Sequence, residues 1–213
     1  MDEAALRAEI VATAQAMDRA GFAPSKSGNV SARLGDGFLI TPSGLPYARM
    51  GPGDLVAMSL EGETLSPGKP SSEWRFHAAI YAARPELAAH VHTHSPRATA
   101  LSAARRGIPA FHYMIALAGG ADIRCADYAT FGTQELADNA VRALEGRKAV
   151  LLANHGVIAL GATLAGAWML AQEVENLAGQ YLDLLASGLE PAILDEAEMA
   201  RVIERFGGYG KVA

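Results

Sequence analysis

Apolar residues recur at helical spacing through 2–21, "DEAALRAEIVATAQAMDRAG", and the run stops at Gly21, a usual place for a helix to end. The next stretch, "FAPSKSGNVSARLGDGFLITPSG" (22–44), alternates short β-like runs with Gly, Pro and Ser, and predicts strands and turns. "DLVAMSLEGETLS" (54–66) predicts a hairpin around Glu61-Gly62. Ser71 or Ser72 is positioned to cap a helix through "EWRFHAAIYAAR", which must end before Pro85. "LAAHVHT" reads as a strand, and Ser95-Pro96 opens another helix. "TQELADNAVRALEG" is amphipathic, capped by Thr133 and closed by Gly146. The stretch "LDEAEMARVIERFGGYGKVA" (194–213) predicts a last helix followed by a glycine-rich tail of about 206–213 that could order over an active site.

Segment 149–171, "AVLLANHGVIALGATLAGAWMLA", has no Asp, Glu, Lys or Arg and is long enough to span a bilayer. Asn154, His155 and Gly156 interrupt it, so a strand, a turn, a second strand and a buried helix from about 163 to 186 explain it better. Strand pairs without intervening helices imply antiparallel pairing. The fold class expected is α/β: one α/β/α domain over 1–213, with a mainly antiparallel central sheet flanked by helices.

The chain has 213 residues, half of them hydrophobic and 19% charged, which argues against disorder. Its net charge of −5 with no basic block makes nucleic acid an unsuitable partner. The single cysteine, Cys125, cannot form an internal disulfide, and the N-terminus lacks a basic-then-apolar signal pattern. A cytoplasmic, non-membrane protein is expected.

Half of the six histidines fall in five residues, His90, His92 and His94 of "AAHVHTHSP". Alternate residues of a strand share a face, so His92 and His94 lie about 6.5–7 Å apart at the backbone and can converge on one ion. His90 shares that face but lies about 13 Å from His94, so one of the three is a bystander. Taken alone, His155, at a tight turn in "LLANHGVIAL", reads first as a histidine satisfied by a backbone carbonyl, and Glu73, after "PSS", as a helix-start carboxylate. "SKSGNVS", "TPSG" and "KPSS" combine small residues, hydroxyls and free N–H groups, a composition that cradles anions. Lys26 and Lys69 add positive charge nearby.

Taken together, "SGNVSAR", "ITPSGLPY", "PSSEWRFH", "HVHTHSP", "IPAFHYMIALAGG", "YATFGTQEL", "NHGVIAL" and "FGGYG" run nearly end to end. In this order they resemble the class II, zinc-dependent sugar-phosphate aldolases of the L-fuculose-1-phosphate aldolase type. The resemblance implies one Zn2+ held by His92, His94, His155 and Glu73. It implies a substrate phosphate among Gly28, Asn29, Ser43, Gly44, Ser71 and Ser72. Lys26 stands where the fuculose-phosphate enzyme carries a threonine, a departure that bears on how phosphate is held. The family implies a homotetramer with active sites between subunits, where Tyr113 and Tyr209 reach a neighbour's site. His90 and His112 are left as bystanders.

The implied reaction is reversible cleavage of a ketose 1-phosphate (L-fuculose 1-phosphate, or a 5-deoxy- or methylthio-pentulose 1-phosphate) to dihydroxyacetone phosphate and a short aldehyde. Such cleavage leaves charge on the ketone oxygen, which a metal can stabilise as a Lewis acid. Glu73 would then act as acid–base group, with Tyr113 taking the proton of the distal hydroxyl and Tyr209 orienting the site. Dehydratase, 4-epimerase and decarboxylase chemistry belong to the same superfamily. So do adducin-like heads that are not enzymes, against which the intact His92, His94, His155 and Glu73 argue.

Overall fold

The computed structural model describes residues 2–208. In chain order its elements are α1 (Glu3–Arg19), β1 (Asn29–Leu34), β2 (Gly37–Ile40), β3 (Val56–Ser59), α2 (Trp74–Ala83), β4 (Ala89–Thr93), α3 (Pro96–Ala103), β5 (Arg124–Ala126), α4 (Gln134–Ala143), β6 (Ala149–Leu152), β7 (Gly156–Gly161), α5 (Leu164–Ser187) and α6 (Glu196–Gly208). The strands form one sheet in the order β3-β2-β1-β4-β7-β6-β5. Every neighbouring pair is antiparallel except β5–β6, so the expected mainly antiparallel sheet is what forms.

The two-residue period of the strands divides the core. Val30, Ala32, Ala89, Val91, Val157 and Ala159 face the side covered by α1, α3 and α5. Their neighbours Ile158 and Leu160, with Val150 and Leu152, pack against Phe76 and Ile80 of α2 and Leu136 and Ala140 of α4. Phe38, Ile40, Val56 and Met58 continue that second face against Ala78 and Tyr81. Each such side chain contributes about 1.5–3 kcal/mol on full burial, so the sheet is pinned on both faces. The charge-free 149–171 segment is accounted for by β6, β7 and the start of α5, and among the described residues no helix is long and apolar enough to cross a membrane.

Two local expectations need correction. The return arm of the 54–66 hairpin is not a strand: Met58 makes a single bridge to Thr64, and β3 pairs along its length with β2. The turn does fall where expected, with Gly62 at φ +95°. The cap of α2 is Glu73, and no side chain caps it; the Ser71 hydroxyl accepts from the Glu73 N–H at 3.3 Å. Ser71 thus stabilises the turn before the helix, and Thr133 caps α4 as expected by accepting from the Leu136 N–H.

The apolar second face has one polar interruption. β1 and β4 pair with Asn29 opposite His92 and Ser31 opposite His90, and all four are buried beneath α2. The functional residues gather there.

Candidate active site

Each of the four clustered residues reaches the site by a distinct piece of local chemistry. β4 delivers His92 from its last paired residues, and His94 follows where the chain leaves the sheet, its N–H donated to the Phe22 carbonyl at 2.9 Å. Between β6 and β7 the chain reverses in three residues. Asn154 adopts φ +55°, a left-handed conformation that asparagine tolerates, and its N–H is held by the Ser102 carbonyl at 2.9 Å. That turn projects His155. Gly156 permits the approach: a Cβ there would lie 2.3 Å from the Thr93 carbonyl oxygen. Glu73 enters from the opposite layer, at the start of α2.

One ligand atom from each of Glu73, His92, His94 and His155 lies within 4.8 Å of all the others. His92 Nε2 is 3.2 Å from Glu73 Oε2 and 3.1 Å from His94 Nε2, and His155 Nε2 is 3.1 Å from Glu73 Oε1. A tetrahedral site with bonds of about 2.0–2.1 Å separates its ligand atoms by about 3.4 Å, so the spacing suits a metal. Hydrogen bonding orients the His92 ring: Nδ1–H donates to the Val157 carbonyl at 2.8 Å, which turns Nε2 toward the cluster. Glu73 Oε1 is buried and has no hydrogen-bond partner among the described residues. A proton on one nitrogen would satisfy one of these contacts, whereas a divalent cation satisfies all four groups together.

The electrostatics agree. Burial pushes the Glu73 carboxyl upward, and the imidazoles of His92 and His155 outweigh it, holding it well below the usual carboxylate range. Burial, reinforced by His92 and His155, lowers His94 to about 3. Glu73 is therefore a carboxylate and His94 a neutral imidazole at neutral pH, the protonation states that ligate metals.

A cleft of about 290 Å³ opens beside these ligands, lined by His94, His155 and Glu73 on one side and by Lys26, Gly28, Asn29, Ser43, Gly44, Ser71 and Ser72 on the other. All six residues expected around a phosphate thus border the expected ligands. Gly28, at φ +81°, has no room for a Cβ, which would lie 2.6 Å from the His92 carbonyl oxygen. Lys26 also sits in a left-handed conformation, at φ +66°. Tyr128 and Phe131, both exposed, line the same cleft.

This arrangement can be set against known proteins. Residues 8–182 match the family described as Class II Aldolase and Adducin N-terminal domain. The chain belongs to the class II aldolase family. It is 54% identical to the 5-methylthioribulose-1-phosphate/5-deoxyribulose-1-phosphate aldolase of Rhodospirillum rubrum, over 97% of this chain and 93% of that protein. It is 46% identical to the L-fuculose phosphate aldolase of Escherichia coli, over 99% of this chain and 98% of that protein. A solved L-fuculose 1-phosphate aldolase superposes with a TM-score of 0.92 at 38% identity, covering 97% of this chain and 98% of its own.

Within this class II aldolase domain, not every expected residue joins the cleft. Tyr113 is half exposed and borders a second cleft of about 540 Å³ with Arg201, Val202, Arg205 and Phe206, its ring stacked on Phe206 with centroids 6.3 Å apart. His112 is not at the ligand cluster either; its Nδ1 accepts from the Met114 N–H at 3.2 Å. Tyr209 lies outside the described residues. Sequence reasoning missed three buried polar residues behind the site, Ser31, His77 and Tyr81. One signal was available: Glu73, His77 and Tyr81 are spaced by four, and so share one stripe of α2.

Proposed function

We propose that this protein catalyses metal-dependent, reversible cleavage of a ketose 1-phosphate to dihydroxyacetone phosphate and a short aldehyde. One observation carries the reading: four metal-ligating atoms lie within 4.8 Å of one another, and three of their residues, Glu73, His94 and His155, border a cleft lined largely by Ser- and Gly-rich loops. The names of its relatives, aldolases for 5-methylthioribulose 1-phosphate, 5-deoxyribulose 1-phosphate and L-fuculose phosphate, point to the same chemistry.

His92, His94, His155 and Glu73 would hold the cation, and the imidazole-rich donor set favours Zn2+. The metal supplies Lewis-acid stabilisation of the charge that develops on the ketone oxygen. Gly28, Asn29, Ser43, Gly44, Ser71 and Ser72 would bind the phosphate, with Lys26 adding a positive charge, and fix the reacting carbons against the ligands. Glu73 would move a proton at the carbon that becomes nucleophilic, because its carboxylate stays ionised and borders the cleft. Tyr128 and Phe131 offer apolar surface to the aldehyde end, which suits a 5-deoxy or methylthio substrate.

Tyr113 and Tyr209 would serve the reaction across a subunit boundary, in a homotetramer. The exposed position of Tyr113, away from its own chain's ligand cluster, supports that arrangement. The single cysteine, which cannot form an internal disulfide, supports a cytoplasmic setting.

The test is release of dihydroxyacetone phosphate from L-fuculose, 5-deoxyribulose and methylthioribulose 1-phosphates, with and without chelator. Chelator-sensitive release is expected, and the ratio of kcat/KM values ranks the aldehydes. No release from any of the three by metal-loaded protein would move the assignment to dehydratase, epimerase or decarboxylase chemistry.

A further inference from the structure

Behind Glu73 a line of buried side chains runs from the ligand cluster into the core between α2 and the sheet. Asn29 Nδ2 lies 2.9 Å from Glu73 Oε2, and Asn29 Oδ1 is hydrogen-bonded to His77 Nε2. His77 Nδ1 lies 2.7 Å from Ser31 Oγ, which lies 3.0 Å from the Tyr81 hydroxyl. Asn29, Ser31, His77 and Tyr81 are between 0 and 2% exposed, so water does not compete for these bonds.

We propose that Tyr81, Ser31, His77 and Asn29 form a one-way hydrogen-bond relay, with His77 locked as its Nε2–H tautomer, that fixes the orientation of the Glu73 carboxylate. The role in turnover rests on the aldolase reading above; the direction of the relay does not.

Elementary donor and acceptor rules set that direction. An ionised carboxylate only accepts, so Asn29 turns its NH2 to Glu73 and its carbonyl to His77. That carbonyl only accepts, so His77 Nε2 donates. Burial, with His92 adding to it, lowers His77 to about 3, so the ring is neutral and its Nδ1 is an acceptor. Ser31 must then donate to Nδ1, and its oxygen accepts from Tyr81. Each link of the line pairs a donor with an acceptor, and it begins at the Tyr81 phenol, whose one O–H lies nearer Ser31 Oγ, at 3.0 Å, than the Ala88 carbonyl, at 3.5 Å.

Packing holds the His77 ring as firmly. Phe76 stacks on it with centroids 4.6 Å apart, and His90 does so at 5.3 Å. The relay therefore anchors Oε2 of Glu73 while leaving Oε1 without a hydrogen-bond partner. One oxygen is held and the other is left to meet a cation or a proton. Because the line ends at Tyr81 in the core, it has no proton source beyond itself; it orients the carboxylate and does not supply protons to it. His77, Ser31 and Tyr81 are positioning residues.

The test reads the tautomer directly. Protein labelled with 15N-histidine would be examined by long-range 1H–15N correlation at pH 7.5, metal-free and zinc-loaded, with the His77 signals assigned by their loss in His77→Gln. The neutral Nε2–H form is expected in both states. A Nδ1–H or doubly protonated His77 overturns the relay, whatever the turnover. Two variants then test the positioning. Glutamine retains an N–H donor where Nε2 lies, so His77→Gln should keep kcat within about threefold, whereas His77→Phe should lower kcat and zinc affinity by about 10- to 100-fold with KM little changed. A folded His77→Phe protein with parental kcat and zinc affinity overturns the positioning role. Should His77→Phe fail to fold, His77→Gln decides: a 10-fold or larger loss of kcat in that folded variant overturns it as well. The predicted tautomer in a protein without aldolase turnover would overturn the reaction assignment alone and support the relay.

Discussion

Two buried polar groups sit side by side beneath α2, and they are built on opposite rules. In the relay each donor meets one acceptor, from the Tyr81 hydroxyl to Glu73 Oε2, and nothing further is required. In the cluster of Glu73, His92, His94 and His155 four metal-ligating groups face one another, with contacts of 3.1–3.2 Å, and a buried carboxylate oxygen has no hydrogen-bond partner among the described residues. A self-satisfied network rigidifies a core, whereas a network short of positive charge calls for a ligand. Glu73 belongs to both: Oε2 accepts from Asn29 and also lies 3.2 Å from His92 Nε2, while Oε1 faces His155 at 3.1 Å, and this sharing makes it the candidate for acid–base work.

The comparison breaks most severely if the cluster loses a ligand. His155→Ala should abolish zinc retention, read by atomic absorption, and lower kcat/KM by about 1,000-fold or more, the several kcal/mol a metal supplies. Glu73→Gln comes next: it removes the ionisable group while leaving three imidazoles. Its kcat should fall by about 100- to 10,000-fold while most zinc is retained, and full turnover of a zinc-loaded Glu73→Gln protein would refute the acid–base role.

Acid should damage the second polar region in a defined way. Burial lowers His77 to about 3 and holds His90 well below its ordinary value, so both are neutral when folded and protonate near 6.5 when unfolded. Folded-state values are depressed, so this stability is present above about pH 6.5 and drains as pH falls toward 3, by up to about 1.4 kcal/mol per pH unit for each histidine. Both ring nitrogens of His90 lack hydrogen-bond partners, and its ring stacks on Tyr81 with centroids 3.9 Å apart. His90→Leu should leave stability at pH 8 within about 1.5 kcal/mol, as volume-conserving apolar swaps do, and flatten the acid slope between pH 6.5 and 4 in urea titrations. An unchanged slope contradicts the burial argument. Tyr81→Phe is the mildest probe: about 0.5–1.5 kcal/mol of stability and kcat within threefold, because Ser31 can still donate to His77.

Half of the cluster is legible from local pattern, because His92 and His94 share a strand face. His155 in its tight turn and Glu73 at a helix start read locally as a carbonyl-satisfied histidine and a helix-start carboxylate, and join the ligand set through the resemblance of the whole chain. The relay is not legible in the same way. The stripe Glu73, His77, Tyr81 is visible as a four-residue period, but its partners are set by register: Asn29 faces His92 and Ser31 faces His90 only because β1 and β4 pair antiparallel. Nothing local announces that pairing, since the strands are separated by the whole of β2, β3 and α2. Asn29 shows the same limit. Its loop composition marks it as a phosphate ligand, yet both ends of its amide are engaged by Glu73 and His77, so a substrate contact would have to use its backbone or its remaining N–H. The return arm of the 54–66 hairpin failed for a related reason, because β3 found a longer partner in β2 than in its own downstream segment.

The central claim is that the cluster exists to hold a catalytic cation. It is tested most directly by following release of dihydroxyacetone phosphate while zinc is titrated back into chelator-treated protein. The account predicts no release without metal and a linear rise that breaks at one zinc per chain. Full turnover in the metal-free protein, or zinc bound at one per chain with no dependence of turnover on it, would contradict it.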